Sequence, residues 1–449
     1  MLRLLRFPIA LRACCAMLLF ALVSIAGAAT APVPAEQGVA RATLKNGLRV
    51  IVVRNTLAPT VSTVMNYFAG GDETPRGFPG TAHALEHMMF RGSPGLSAAQ
   101  LADLGSLMGG DFNANTQQTL TQYTYSVPAS NLDVVLHIEA ARMRAVTVSV
   151  KDWRDERGAI VQEVAQDLSN PMYMLYRQLR STLFDGTSYA HDALGSKESF
   201  AKTSAGAIKD FHRKWYAPNN ALLVVVGDVD PEATLKRVSG LFAGIPRKTL
   251  PKRGTVALRP VVQRALALDS DLPYGMQVIA FRMPGLDSPD NPAAEVLADI
   301  IKSRRAKLYD LVVEGKALGV DFELDSMPKA GLAYAVAIFP SGADPAALET
   351  EMRSILTGIV RDGVPAELVE ASKLAQRRAL ETLKESISGL ASAWSQAVAL
   401  NGLQSPAEDV ARIDKVTVED VNRVAREYIT LEHAVTAVLT PKNSGQPVQ

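Results

Sequence analysis

The chain has little cysteine and little histidine. Its 449 residues include two cysteines, Cys14 and Cys15, and six histidines. Both cysteines fall in a stretch that reads as a removable leader, so the mature chain is expected to have no disulfide, no cysteine nucleophile and no thiolate metal site. Any metal has to be held by His, Asp and Glu. An excess of charge of one sign is also missing, since 47 Lys and Arg face 46 Asp and Glu for a formal net charge of +1. Such a balance gives no electrostatic case for nucleic acid or an anionic membrane as partner. Beyond the leader no apolar run reaches the roughly 18 residues that a membrane span needs, which argues against a stable membrane anchor. Apolar residues at 47% and charged residues at 21% are values of a globular protein.

Arg3, Arg6 and Arg12 precede the apolar run CAMLLFALVSIAGAA, and a small-residue site follows at Ala26-Gly27-Ala28. This is the plan of a secretory signal peptide over residues 1–28, with the bacterial periplasm as the simplest destination. A mitochondrial presequence is the alternative, but it should be amphipathic, and this stretch is unbroken. Cleavage leaves 449 − 28 = 421 residues and lowers the net charge from +1 to −2. That length calls for more than one core.

Residues 47–69 read as two β-rich runs around a Pro turn, and QYTYSVP (122–128) as a strand. Helical periodicity covers 131–143 and 149–168, the second opened by Ser149 and stopped by Asn170-Pro171. FHRKWYAPNNALLVVVGDVDP closes the first half as helix end, turn and apolar strand, and VNRVAREYITLEHAVTAVLTP repeats that order near the chain end. Tyr216 and Tyr428 mark the repeat, 428 − 216 = 212 residues apart. The chain therefore reads as two similar α+β units of roughly 200 residues. They span 40–245 and 262–442, joined by a linker at 246–261 that is rich in Pro, Lys and Arg and has no periodicity.

Two of the six histidines share one pentapeptide, His83-Ala84-Leu85-Glu86-His87. On a helix, positions i and i+4 lie on one face, so both imidazoles can reach one ion. Glu86, three residues after His83, stands beside them and is suited to take a proton from a metal-bound water rather than to bind the metal. Catalytic zinc usually takes three protein ligands and keeps one position for water, so a carboxylate is needed. Glu163 is the best candidate, since its helix carries the apolar neighbours Ile160, Val161 and Val164. Taken alone, a helix glutamate is ordinarily a solvated surface residue.

His83-Ala84-Leu85-Glu86-His87 followed by Met88-Met89-Phe90-Arg91-Gly92 resembles the inverted zinc motif of the pitrilysin, insulinase and mitochondrial processing peptidase family, the inverzincins. The resemblance runs from about residue 40 to 440 and implies two homologous α+β domains, each a mainly antiparallel sheet packed with helices. It implies Glu163 as the third ligand of one Zn²⁺ per chain, because Glu156-Arg157-Gly158-Ala159-Ile160-Val161-Gln162-Glu163 matches the family's stretch and 163 − 87 = 76 is the family's spacing. Glu156 matches a supporting glutamate of the family. Gly109-Gly110-Asp111-Phe112-Asn113-Ala114 is similar to a family edge strand that takes extended peptide substrates, with Asn113 and Ala114 as substrate-binding residues. Read without the family, it is a Gly-rich turn. Tyr189, Gly195 and Tyr216-Ala217-Pro218-Asn219-Asn220 match as structural positions, and His137, His191, His212 and His433 receive no site role.

One departure stands out. Active members resembling this chain use an Arg and a Tyr, seven residues apart in the second domain, to contact substrate and the developing oxyanion, and the corresponding positions here are Val313 and Val320. A shifted register supplies Tyr334 but puts Met327 seven residues upstream. The expectation is an exported zinc metalloendopeptidase acting on extended or unfolded peptides, the metal-bearing subunit of a heterodimer whose other chain supplies the Arg and Tyr. A homodimer is the alternative assembly. A silent scaffold of the same family, a mitochondrial presequence-trimming peptidase and an unrelated zinc hydrolase are the alternative functions.

Overall fold

A computed structural model describes residues 37–442, so the expected leader and both cysteines lie outside the described residues. The first half builds a sheet from β1 (Val39–Thr43), β2 (Arg49–Arg54), β3 (Thr60–Tyr67), β4 (Asp111–Thr116), β5 (Thr121–Pro128) and β6 (Ala221–Gly227), in the order β1-β2-β6-β3-β5-β4. The second half builds another from β7 (Arg264–Ser270), β8 (Tyr274–Pro284), β9 (Gly319–Ser326), β10 (Ala330–Pro340) and β11 (Val435–Pro441), in the order β9-β10-β8-β11-β7. Read from its other edge, the second sheet repeats the first without β1. Each sheet has one parallel pair, β2 with β6 and β7 with β11, and is otherwise antiparallel. The sequence repeat around Tyr216 and Tyr428 is thus a repeat of topology. In both sheets the last strand runs parallel to the first strand of the repeated set, β6 beside β2 and β11 beside β7.

Five helices matter for the site: α1 (Thr81–Met88), α2 (Leu132–Arg144), α3 (Val150–Leu168), α4 (Pro171–Leu183) and α5 (Ile387–Ser395). Strand side chains alternate between faces, so Val50, Val52, Leu223 and Val225 turn towards one core with Ala82, Leu85 and Met88 of α1. Ile51, Val53, Leu222, Val224 and Val226 turn the other way, onto Ile387, Ala391 and Trp394 of α5. The first sheet is therefore covered on one side by a helix from the second half. The reverse also holds: Leu175, Leu179 and Leu183 of α4 pack on Val278, Ala280, Leu332 and Val435 of the second sheet. This exchange explains why β6 is apolar at every position and wholly buried, as strands covered on both faces must be.

Two local features go beyond the expectation. Asn170-Pro171 stops α3 but also starts α4, because the Asn170 side chain accepts from Met172 N at 2.9 Å and Pro171 occupies the first turn, where its missing N–H costs nothing. The irregular stretch 246–263, which contains the expected linker at 246–261, is bound along the first domain. Arg253 donates to Glu73 Oε1 and Asn220 Oδ1, both at 3.0 Å, and Lys248 Nζ donates to the Tyr216 carbonyl at 2.8 Å, so its charges fasten it to the first domain.

Candidate metal centre

α1 enters at Gly80, whose φ of +84° opens the helix in a conformation that favours glycine. A Cβ there would lie 2.7 Å from the Cα of Gly195, so the 192–195 loop is held directly against the start of α1. Burial of Ala82, Leu85 and Met88 anchors the helix and turns His83, Glu86 and His87 to its other side.

The Nε2 atoms of His83 and His87 lie 3.2 Å apart. Glu163 on α3 approaches both, with Oε1 at 3.4 Å from His83 Nε2 and Oε2 at 3.2 Å from His87 Nε2. A tetrahedral zinc with bonds of about 2.0–2.1 Å spaces its ligands roughly 3.3 Å apart, so these three side chains fit that ion in both donor type and separation. Both rings are turned for it. His83 Nδ1 donates to the Leu194 carbonyl at 3.0 Å, which can only accept, and this leaves the Nε2 lone pair facing the centre. His87 Nδ1 meets Glu156 Oε1 at 2.9 Å, and Arg91 binds the other oxygen of Glu156. Glu163 and Glu156 share a face of α3, two turns apart, so one helix carries both a candidate ligand and the partner of another.

The electrostatics follow from these contacts. With no metal between them and the rings protonated at Nε2, Glu163 is held below the usual carboxylate range by its hydrogen bond with His83 and by the charge of both imidazoles. Burial alone would raise Glu156, but the hydrogen bonds of His87 and Arg91 overcome it and lower its pKa. Burial raises Glu86, against a hydrogen bond that Thr116 Oγ1 donates to its Oε2.

Two cavities flank the cluster. One, about 440 Å³, is lined by His83 and Glu163 on one side and by Asp325, Ser326, Met327 and Pro328 of the second domain on the other. The second, about 350 Å³, brings Glu86, His87 and Glu156 together with Asn113 and Ala114 of β4. β4 is an edge strand, so one side of its backbone is open to an added strand. Val313 is exposed at the end of a short helix and Val320 lies in β9, and neither lines these cavities. Among the other histidines, His212 is buried with Nε2 on the Arg142 carbonyl at 2.7 Å, and burial lowers its pKa to about 4.

Three contributors were not foreseen from the sequence: Thr116, Arg91 and the Leu194 carbonyl. Arg91 lies past the end of α1, 65 residues from its partner Glu156. Thr116 and Leu194 are 30 and 111 residues from their partners, with no local signal to connect them.

Residues 49–197 match Insulinase (Peptidase family M16), and residues 202–375 match the Peptidase M16 inactive domain. Over 416 residues the chain is 24% identical to the zinc protease PqqE of Helicobacter pylori, covering 89% of this chain and 92% of that protein. The crystal structure of a protease from Helicobacter pylori superposes with a TM-score of 0.82 at 22% identity, over 90% of this chain and 99% of that one. The periplasmic protease PqqL from Escherichia coli superposes with a TM-score of 0.78 at 19% identity, over 92% of this chain but 48% of its own. With matched regions in both halves, a repeated sheet topology and a His-His-Glu cluster on the first, the chain belongs to the insulinase family, peptidase family M16, in its two-domain form.

Proposed function

We propose that this protein is an exported zinc metalloendopeptidase for extended or unfolded peptides, with its metal in a first domain spanning 40–245, a linker at 246–261 and a second domain at 262–442. The observation that carries the reading is the convergence of His83 Nε2, His87 Nε2 and the Glu163 carboxylate within 4.8 Å of one another, with Glu86 on the same helical face. These three residues would hold one zinc ion. When bound, zinc supplies Lewis acidity, lowering the pKa of a water towards about 7 and polarising a peptide carbonyl.

The chain's own groups do the rest. Glu86 takes the proton of the attacking water and passes it to the leaving amine. Glu156 fixes the His87 ring, and Leu194 fixes that of His83. Asn113 and Ala114 on the open edge of β4 orient the peptide through its main chain, a mode that demands an extended substrate and tolerates many sequences. Residues 1–28 would direct export to the periplasm, and the similar PqqL of Escherichia coli is a periplasmic protease.

The oxyanion lacks an Arg and Tyr from this chain, since Val313 and Val320 stand at the family's positions. A second chain of similar fold would supply them, and this chain would be the metal-bearing subunit of that heterodimer. The span of 48% of PqqL supports a two-half assembly. A homodimer would contain two metal sites and no such pair. A silent scaffold is favoured by one observation, the match of 202–375 to a domain called inactive. Peptidase assays of the purified zinc-loaded chain, with and without co-expressed relatives lacking the zinc motif, test these readings. Activity that rises with such a partner supports the heterodimer, full activity alone removes the need for one, and zinc binding without cleavage in any combination favours the scaffold.

A further inference from the structure

Glu86 has to hold its carboxylate within about 3 Å of the proton it moves, and a glutamate has three side-chain torsions by which to miss. α1 fixes only the backbone of Glu86. The rotamer is set from elsewhere: Thr116 Oγ1 donates to Oε2. Among the described residues no other side chain donates to this carboxylate, which leaves Oε1 for the proton.

Thr116 is itself well anchored. It ends β4 and pairs with Thr121, whose hydroxyl donates to the Ala69 carbonyl at 2.8 Å. The turn that follows is closed by Gln117 N on Leu120 O at 2.7 Å and gripped from outside by Gly71 N on Gln117 O at 3.0 Å. Gly70 is required at that grip, because a Cβ there would stand 2.2 Å from the Gln117 carbonyl oxygen. The hydroxyl therefore has a defined position, and β-branching limits its swing.

Thr116 also belongs to the strand that carries Asn113 and Ala114. We propose that Thr116 is a positioning residue for proton transfer, tying the Glu86 carboxylate to the same strand that receives the peptide, so that base and scissile bond share one frame. This rests on the peptidase reading above and adds to it a reason for the hydroxyl at the end of β4. Small displacements of a catalytic group are costly, up to about a hundredfold for 1 Å.

The test uses the zinc-loaded full chain, with its activating partner if one is found, and an unstructured, internally quenched peptide. Thr116→Val keeps the shape and removes the donor. It should lower kcat about 10- to 100-fold with KM and zinc content unchanged, whereas Thr116→Ser should stay within about threefold. In a Glu86→Gln background the valine should cost little more, because the group it positions no longer moves a proton. In the zinc-free chain, Thr116→Val should lower the melting temperature, and a Glu86→Leu background should remove most of that loss. If the valine variant does not fold, Thr116→Ala carries the same comparisons. A valine variant with kcat within twofold of the parent, or an equal loss with and without Glu86, overturns the proposal while leaving the peptidase reading intact. A zinc-loaded parent that cleaves nothing under any condition overturns both.

Discussion

Nδ1 of His87 lies 2.9 Å from Oε1 of Glu156, and the other oxygen of that carboxylate is bound by Arg91, which follows the same helix as His87. The ring is thus fixed by a buried acid whose other oxygen is paired with a guanidinium. Seven residues further along α3, Glu163 faces the two Nε2 atoms directly. Relative movement of α1 and α3 would therefore disturb a ligand and its support together.

Loss of that support should appear as weaker metal binding. Removing an outer partner of a metal-bound histidine typically costs 10- to 100-fold in affinity, so Glu156→Ala should raise the zinc dissociation constant by about that factor. Chelator competition measures it. Unchanged affinity would reduce Glu156 to a partner of Arg91.

The ligands and the base should separate in two assays. His83→Ala, His87→Ala and Glu163→Gln should each lose zinc by metal analysis, from about one ion per chain in the parent. Glu86→Gln should keep zinc and lower kcat by about 10² to 10⁴, the usual contribution of general acid–base catalysis. Near-normal turnover in Glu86→Gln would take that residue out of the mechanism.

Substrates should be unfolded. Strand addition to β4 needs an extended backbone, so a compact domain should resist cleavage while its denatured fragments are cut. Mass spectrometry of products from matched native and denatured substrates decides this, and efficient cutting of the native form alone would contradict it.

Stability should depend on pH through Glu73. Burial pushes its carboxyl up to about 7 from an ordinary 4.5, against opposing hydrogen bonds from Gly70 N–H and Arg253. The folded chain therefore keeps this proton where the unfolded chain has lost it, and between about pH 4.5 and 7 unfolding free energy falls as pH rises. Glu73→Gln should flatten that fall, as urea unfolding at pH 5 and pH 7.5 would register. An unaltered pH slope would show that Glu73 titrates normally in the folded chain.

The pentapeptide from His83 to His87 was legible because helical spacing alone puts two imidazoles and a carboxylate on one face. The repeat around Tyr216 and Tyr428 was legible because both halves end in the same pattern of helix, turn and apolar strand. Glu163 stood out as one helix glutamate among several until its distance from His87 was matched to a family. What the chain could not reveal locally was decided by tertiary contact. The exchange of α4 and α5 between the two sheets leaves no periodic trace, since an apolar helical face looks the same whichever sheet it covers. The carbonyl of Leu194 carries no side-chain signature, and Thr116 reaches Glu86 only because a hairpin from one part of the domain folds against the metal helix from another. Sequence spacing supplied the candidate ligand atoms, and the packing of α1 against α3, β4 and the 192–195 loop decided which way each of them points.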